Sequence, residues 1–298
     1  MNKVEEKINI PKDKHLGIII DPRSGSHAFR DYISSALSIP NLSEFLNPIV
    51  YQPCFFIDKN KKTIHRLPND KNGEQRFKIF NESVIKQWAD ERLDELSNIT
   101  DIDQYGVFSI LIKDVLSYYP EIVEKIKQRP DIYFIRLKRA DVLYAIISIE
   151  LSRYTNIWHN KNQNHTFSRE NIKDKIEIPL DTIIDHLTSL IDAEKIIEKI
   201  FKGIPVIYYE QWQNNIRNIN KILNLPNKIV SVNFHKFTGN YKNLISNIDE
   251  IEKYYEQFVN EHPQHFPQYF GKLPDIKIPD FQGRQPKNKK EYILDELC

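Results

Sequence analysis

Leu16-Gly17-Ile18-Ile19-Ile20 is an unbroken apolar run that stops abruptly at Asp21-Pro22-Arg23-Ser24-Gly25-Ser26. A β-branched run without alternation has no polar face, so it reads as a strand covered on both sides, the hallmark of a parallel sheet. The cluster after it has turn-forming chemistry. From Ala28 to Leu37, apolar residues at Phe29, Ile33 and Leu37 return at helical spacing. Strand, tight Gly/Ser loop and helix together commit this part of the chain to an α/β architecture.

The pattern repeats downstream. Val107–Val115, Asp131–Ile135 and Ile204–Tyr209 read as strands. Helices are predicted over Glu82–Leu96, Glu121–Lys127, Asp141–Tyr154, Leu180–Phe201, Gln211–Leu223 and Asn247–Glu261. Residues 40–80, punctuated by Pro40, Pro48, Pro53 and Pro68, and the polar stretch Asn156–Ser168 read as irregular. Alternating strands and helices imply a central, mostly parallel sheet flanked by helices, a three-layer α/β fold with a P-loop-like first turn. The expectation is one domain over residues 1–298, with a polar lead-in at 1–15 and an extended tail at 263–298.

Composition narrows the function. Forty-two Lys and Arg against 41 Asp and Glu give a formal net charge of +1, whereas a nucleic-acid coat is usually more basic. Any anion site is therefore a local cluster. Two cysteines, Cys54 and Cys298, make neither a disulfide framework nor a zinc site on their own. The first 15 residues lack an apolar signal core, and no apolar run approaches a membrane span. The expectation is a cytoplasmic protein without a membrane span.

Two segments carry candidate chemistry. The loop between the first strand and helix presents backbone N–H groups and a helix N-terminus to an anion. Gly25 permits close backbone approach, Ser24 and Ser26 add hydroxyls, and Arg23 adds a fixed charge. A kinase-type phosphate loop needs G-x-x-x-x-G-K-[ST], and that pattern is absent. Read from residues alone, the segment is either an anion cradle or a plain strand-to-helix turn. The second is Arg136-Leu137-Lys138-Arg139, at the carboxyl end of a strand and ahead of a helix carrying Ser148. Ligands of parallel sheets sit beyond such ends, and the alternative there is a solvated basic edge.

The order of these pieces resembles the sulfotransferase family, closest to bacterial carbohydrate sulfotransferases of the trehalose-modifying kind. The likeness rests on Pro22-Arg23-Ser24-Gly25-Ser26, on Arg139-Ala140-Asp141 through Ile147-Ser148, on Thr155-Asn156-Ile157-Trp158-His159 and on Ile207-Tyr208-Tyr209-Glu210. Ser43-Glu44-Phe45-Leu46-Asn47 is similar to a family segment whose Glu is the proposed base. The resemblance implies transfer of a sulfuryl group from 3′-phosphoadenosine 5′-phosphosulfate (PAPS) to a hydroxyl of a carbohydrate-like acceptor, a small molecule or glycan, with no metal. It implies that Arg23, Ser24, Gly25, Ser26 and His27 cradle the 5′-phosphosulfate, and that Arg139 and Ser148 hold the 3′-phosphate, with Tyr208 also on the co-substrate. Glu44 and Trp158 would meet the acceptor. Glu44 is the expected base, assisted by Arg23 and His27, and Asp114 is its rival. His27 stands where the family usually has Thr or Ser. The spacing from Arg139 to Ser148 exceeds the commonest family spacing, which brings Lys138 and Arg136 into consideration. The alternatives are a nucleoside-triphosphate-dependent small-molecule kinase and a non-catalytic nucleotide-binding protein of the same fold.

Overall fold

A computed structural model describes residues 7–46, 55–58, 63–66, 82–101, 103–112, 115, 119–155, 175–212, 215–226 and 243–266. They form two compact units, residues 1–139 with 188–228, and residues 140–187 with 229–298.

The apolar run opens the sheet of the first unit as β1 (His15–Ile20), buried at every position. Helix α1 (Ser26–Leu37) follows, then β2 (Asn41–Glu44), the antiparallel hairpin β3 (Phe55–Asp58) and β4 (Thr63–Arg66), and α2 (Glu82–Thr100). Strand β5 (Val107–Ile110), α3 (Pro120–Lys127) and β6 (Ile132–Lys138) complete this stretch. After α4 (Val142–Thr155) and α5 (Leu180–Ile200), β7 (Val206–Tyr208) rejoins the sheet, and the short α6 (Asn218–Ile222) ends the unit. The five strands lie in the order β2-β5-β1-β6-β7, and every pairing is parallel. The three-layer parallel fold expected from the strand–helix alternation is therefore the fold observed.

Strand alternation sorts the two faces. Phe108 and Ile110 of β5, Ile19 of β1 and Phe134 of β6 join Leu93, Leu96, Ile122, Ile126, Ile200 and Phe201 in one apolar cluster. Ser109, on the opposite face of β5, receives a hydrogen bond from Arg30 of α1, so α1 covers that other side.

Some expectations of local structure fail for identifiable reasons. Residues 41–44 lie in the stretch predicted irregular, yet they form edge strand β2. Its register on β5 is interrupted between Asn41 and Glu44, and Ser43 has φ 69°. The Asn41 side chain accepts from the Ser43 N–H at 2.9 Å, a local turn that hides the strand pattern. The β3–β4 hairpin also falls in that stretch. The helix predicted from Gln211 becomes a 3₁₀ turn over Tyr209–Gln211 and the five-residue α6. Asparagines compete there for the backbone: Asn215 accepts from the Arg217 N–H at 2.9 Å, and Asn218 donates to the Gln211 carbonyl at 3.2 Å. His15, assigned to the polar lead-in, is a fully buried strand residue.

In the second unit, α4, the start of α5 and α7 (Ile248–Glu261) are the described helices. Ile251, Tyr255, Phe258 and Val259 recur at helical spacing and bury one stripe of α7. Ile176 makes a parallel bridge to Ile245, and Asn247 donates to the Ile178 carbonyl at 2.8 Å. Among the described residues, no helix is long and apolar enough to cross a membrane.

Candidate active site

The topology singles out the carboxyl end of β1. From β1 the chain moves toward edge strand β2, whereas from both neighbours, β5 and β6, it moves the opposite way. Right-handed crossovers then place these connections on opposite faces of the sheet. A crevice opens where neighbouring strands part in this manner, and ligands of parallel sheets occupy it. The loop Asp21–Gly25 lies there.

Two residues of this loop have left-handed backbone, Arg23 at φ 60° and Gly25 at φ 72°. The Ser24 N–H donates to the Asp21 carbonyl at 3.3 Å, and the Phe29 N–H closes the first helical turn on the Gly25 carbonyl at 3.1 Å. Gly25 is the N-cap of α1 and has no side chain with which to cap the first-turn amides. Beside them Ser24 is 1% exposed, and its hydroxyl has no hydrogen-bond partner among the described residues. A buried hydroxyl left unmet costs about 1–3 kcal/mol. An anion oxygen at the α1 N-terminus would satisfy both the hydroxyl and the amides.

Gly25 is also required by what lies against it. A Cβ there would come within 2.6 Å of the Tyr209 ring and 3.0 Å of the Trp212 ring. Tyr209 in turn supports Arg139, whose guanidinium carbon lies 4.2 Å from the ring centroid. Arg139 is buried; its Nε lies 3.2 Å from the Glu210 carboxylate, and its Nη1 donates to the Arg23 carbonyl at 3.1 Å. This residue thus ties the end of β6 to the left-handed turn of the loop. Its charge is shared with a wholly buried carboxylate.

A second ion network anchors the first loop residue. Arg136 on β6 pairs with Glu194 of α5 and reaches Asp21 at 3.3 Å, and Lys138 donates to Glu194 at 2.7 Å. Burial pushes the Glu194 carboxyl up, but Lys138 and Arg136 outweigh it and hold the group below its ordinary value. Tyr208 follows on β7; burial, reinforced by Glu194, pushes its hydroxyl up to about 12. Lys138 and Arg136 therefore both answer to Glu194.

Glu44 and His27 are brought together from opposite directions. Alpha-helix α1 carries the chain away from the loop, and Pro40 turns it back into β2, which runs parallel to β1's neighbour β5. Glu44 ends that strand on the carboxyl side of the sheet, and its Oε1 lies 3.0 Å from His27 Nε2. The other ring nitrogen, Nδ1, lies 3.2 Å from Nη2 of Arg30. Arg30, 1% exposed, also donates from Nε to Asn41 Oδ1 at 2.7 Å and from Nη1 to the Ser109 hydroxyl. Asn41 is held from its other end by Asp31.

Ser148 is half-buried on α4 in the second unit, where its carbonyl accepts from the Ser152 hydroxyl at 2.7 Å. Trp158 and Asp114 lie outside the described residues. Reading the sequence overlooked Arg30, Asn41, Ser109 and Glu194 as parts of this region, and quoted Tyr209 and Glu210 only within the Ile207–Glu210 segment, with no role assigned to either. Only Arg30 carried a local signal, since three residues from His27 puts both on one helix face. The others are joined to it by the fold alone.

No family model matches the chain, and no curated protein matches it. Among solved structures, it is similar to a sulfotransferase from Alicyclobacillus acidocaldarius, at 13% identity and a TM-score of 0.41, over 88% of this chain and 97% of that one.

Proposed function

We propose that this protein is a sulfotransferase that moves a sulfuryl group from PAPS to a hydroxyl of a carbohydrate-like acceptor. The observation that carries this reading is a carboxylate, Glu44, held through His27 beside a helix-N-terminal loop that contains a buried, unmet Ser24 hydroxyl. Sulfuryl transfer needs that pairing: donors for the anionic group, and a base for an alcohol that is a poor nucleophile near neutral pH. The residues present fit the 5′-phosphosulfate. The α1 amides, Ser24 and Arg23 would hold its oxygens, and positioning with charge stabilisation would supply most of the acceleration.

In the step itself, the acceptor oxygen forms a bond to sulfur as its proton passes to Glu44. The bond between sulfur and the bridging oxygen breaks, and the electron pair leaves with the 5′-phosphate of adenosine 3′,5′-bisphosphate. Arg139 is the proposed partner of the 3′-phosphate. Arg139 can take that role only by giving the phosphate some of the contact it now makes with Glu210.

Thermal-shift titration with adenosine 3′,5′-bisphosphate, adenosine 5′-phosphate, and ATP with magnesium tests the reading. The bisphosphate should stabilise most, by about 2.7 kcal/mol at 100 times its Kd. Equal shifts from the bisphosphate and the 5′-phosphate would remove the 3′-phosphate assignment. A response to ATP with magnesium alone would favour the kinase alternative.

A further inference from the structure

We infer that Arg30 is a positioning residue that locks His27 in the Nε2–H tautomer, so that His27 donates to Glu44 and leaves the carboxylate as the site that accepts the proton. A guanidinium has only donors. With Arg30 Nη2 at 3.2 Å, His27 Nδ1 must present its lone pair. The ring proton of the neutral imidazole then sits on Nε2, 3.0 Å from Glu44 Oε1, and that bond is a donation to the carboxylate.

Arg30 is rigid enough to impose this choice. Among the described residues its guanidinium reaches His27 on α1, Asn41 on β2 and Ser109 on β5, three separate elements. The side chain is almost wholly buried, so the guanidinium cannot swing away without leaving those acceptors unmet. The arrangement also fixes where a proton can go. His27 Nε2 already carries one, and Nδ1 is blocked by a cation. A hydroxyl proton released beside this pair must therefore rest on Glu44, and His27 serves to aim the carboxylate. The tautomer itself follows from the geometry alone. Its catalytic consequence rests on the sulfotransferase reading.

The test is nuclear magnetic resonance on the full chain with ¹⁵N-labelled histidine, the His27 signals being those lost in His27→Gln. Wild-type His27 should show the two-bond nitrogen–proton pattern of the Nε2–H tautomer. An Nδ1–H pattern or an imidazolium at pH 7.5 would overturn the proposal, and this arm needs no Arg30 variant to fold. In Arg30→Met no cation blocks Nδ1, so the ring, still donating from Nε2 to Glu44, should take a second proton on Nδ1 and show the imidazolium pattern. Ser109→Ala loosens the guanidinium without removing it and should move the ring pattern in the same direction by less. Turnover in Arg30→Met should fall by up to about a hundredfold, with the Kd for adenosine 3′,5′-bisphosphate within about twofold of wild type. A folded Arg30→Met with wild-type tautomer and turnover would remove Arg30 from this role. Absence of bisphosphate binding in the wild type would overturn the sulfotransferase reading instead, leaving the tautomer result to stand or fall separately.

Discussion

Lowering the pH should weaken this protein through one buried histidine far from the candidate site. His15 begins β1, is fully buried, and accepts the Gly106 N–H at Nδ1 over 3.0 Å, while its Nε2 faces the Thr100 hydroxyl at 3.0 Å. Protonating Nδ1 would turn that acceptor into a donor aimed at another donor. Burial, only partly offset by Asp131, lowers the His15 pKa from 6.5 to about 4. The unfolded chain therefore takes up a proton near pH 6.5, and the folded chain does not until about pH 4. The sign follows: the stability from neutral His15 is complete above pH 6.5, declines as pH falls, and is gone below about 4. At about 1.36 kcal/mol per pKa unit the full window is worth about 3 kcal/mol, and roughly 2 kcal/mol of it falls between pH 6.5 and pH 5. The assay is urea unfolding of wild type and His15→Asn across pH 7.5 to 4.5. Asparagine supplies a non-titrating acceptor near the position of Nδ1. The difference between the two curves also cancels Glu95, whose carboxyl is raised by burial despite Arg92 and so acts with the opposite sign. If the two stabilities run parallel over that range, the reasoning is wrong.

Three further outcomes are expected. Gly25→Ala places a methyl group 2.6 Å from the Tyr209 ring on a backbone at φ 72°. It should cost more than about 1 kcal/mol in urea unfolding and weaken adenosine 3′,5′-bisphosphate binding, read by calorimetry. Glu194→Gln leaves the buried Arg136 and the half-buried Lys138 without their shared carboxylate. It should destabilise the fold by about 3–5 kcal/mol, and a loss below about 1 kcal/mol would show that Asp21 alone neutralises the network. Glu44→Gln keeps the shape of the side chain and removes its basicity, so turnover should fall at least about a hundredfold while bisphosphate affinity holds. Near-normal turnover would remove Glu44 as the base.

How much of this was open to inspection in the chain itself differs from element to element. Local rules suffice where one segment decides its own environment. Leu16–Ile20 has no polar face, so it had to lie in the middle of the sheet, and β1 does. Phe29 and Ile33 set the helix after it, and Gly25 marks the left-handed residue between them. The same rules fail where backbone pairing outweighs side-chain pattern. Edge strand β2 has one buried apolar residue, Leu42, among its four, so it leaves no periodic trace. The asparagines after Gln211 spoil a helix whose apolar spacing looked sound, because their amides bind the backbone first.

The candidate loop, Glu44 and His27 were each visible as residues with suitable chemistry, in segments joined by a helix and a proline turn. Their meeting was not, because hydrogen bonds between side chains depend on distances that only the crossovers of the sheet create. Parallel pairing of β2 with β5 carries Glu44 to within 3.0 Å of His27. The β6–β7 pairing belongs to the same fold that gives Arg139 a buried counter-charge in Glu210, a partner far along the chain whose pairing with Arg139 no local pattern announces. Residue type determined what chemistry was available here. The tertiary structure decided which charges neutralise one another in the interior and which groups remain to meet a ligand, because burial makes that pairing obligatory and the sheet topology chooses the partners.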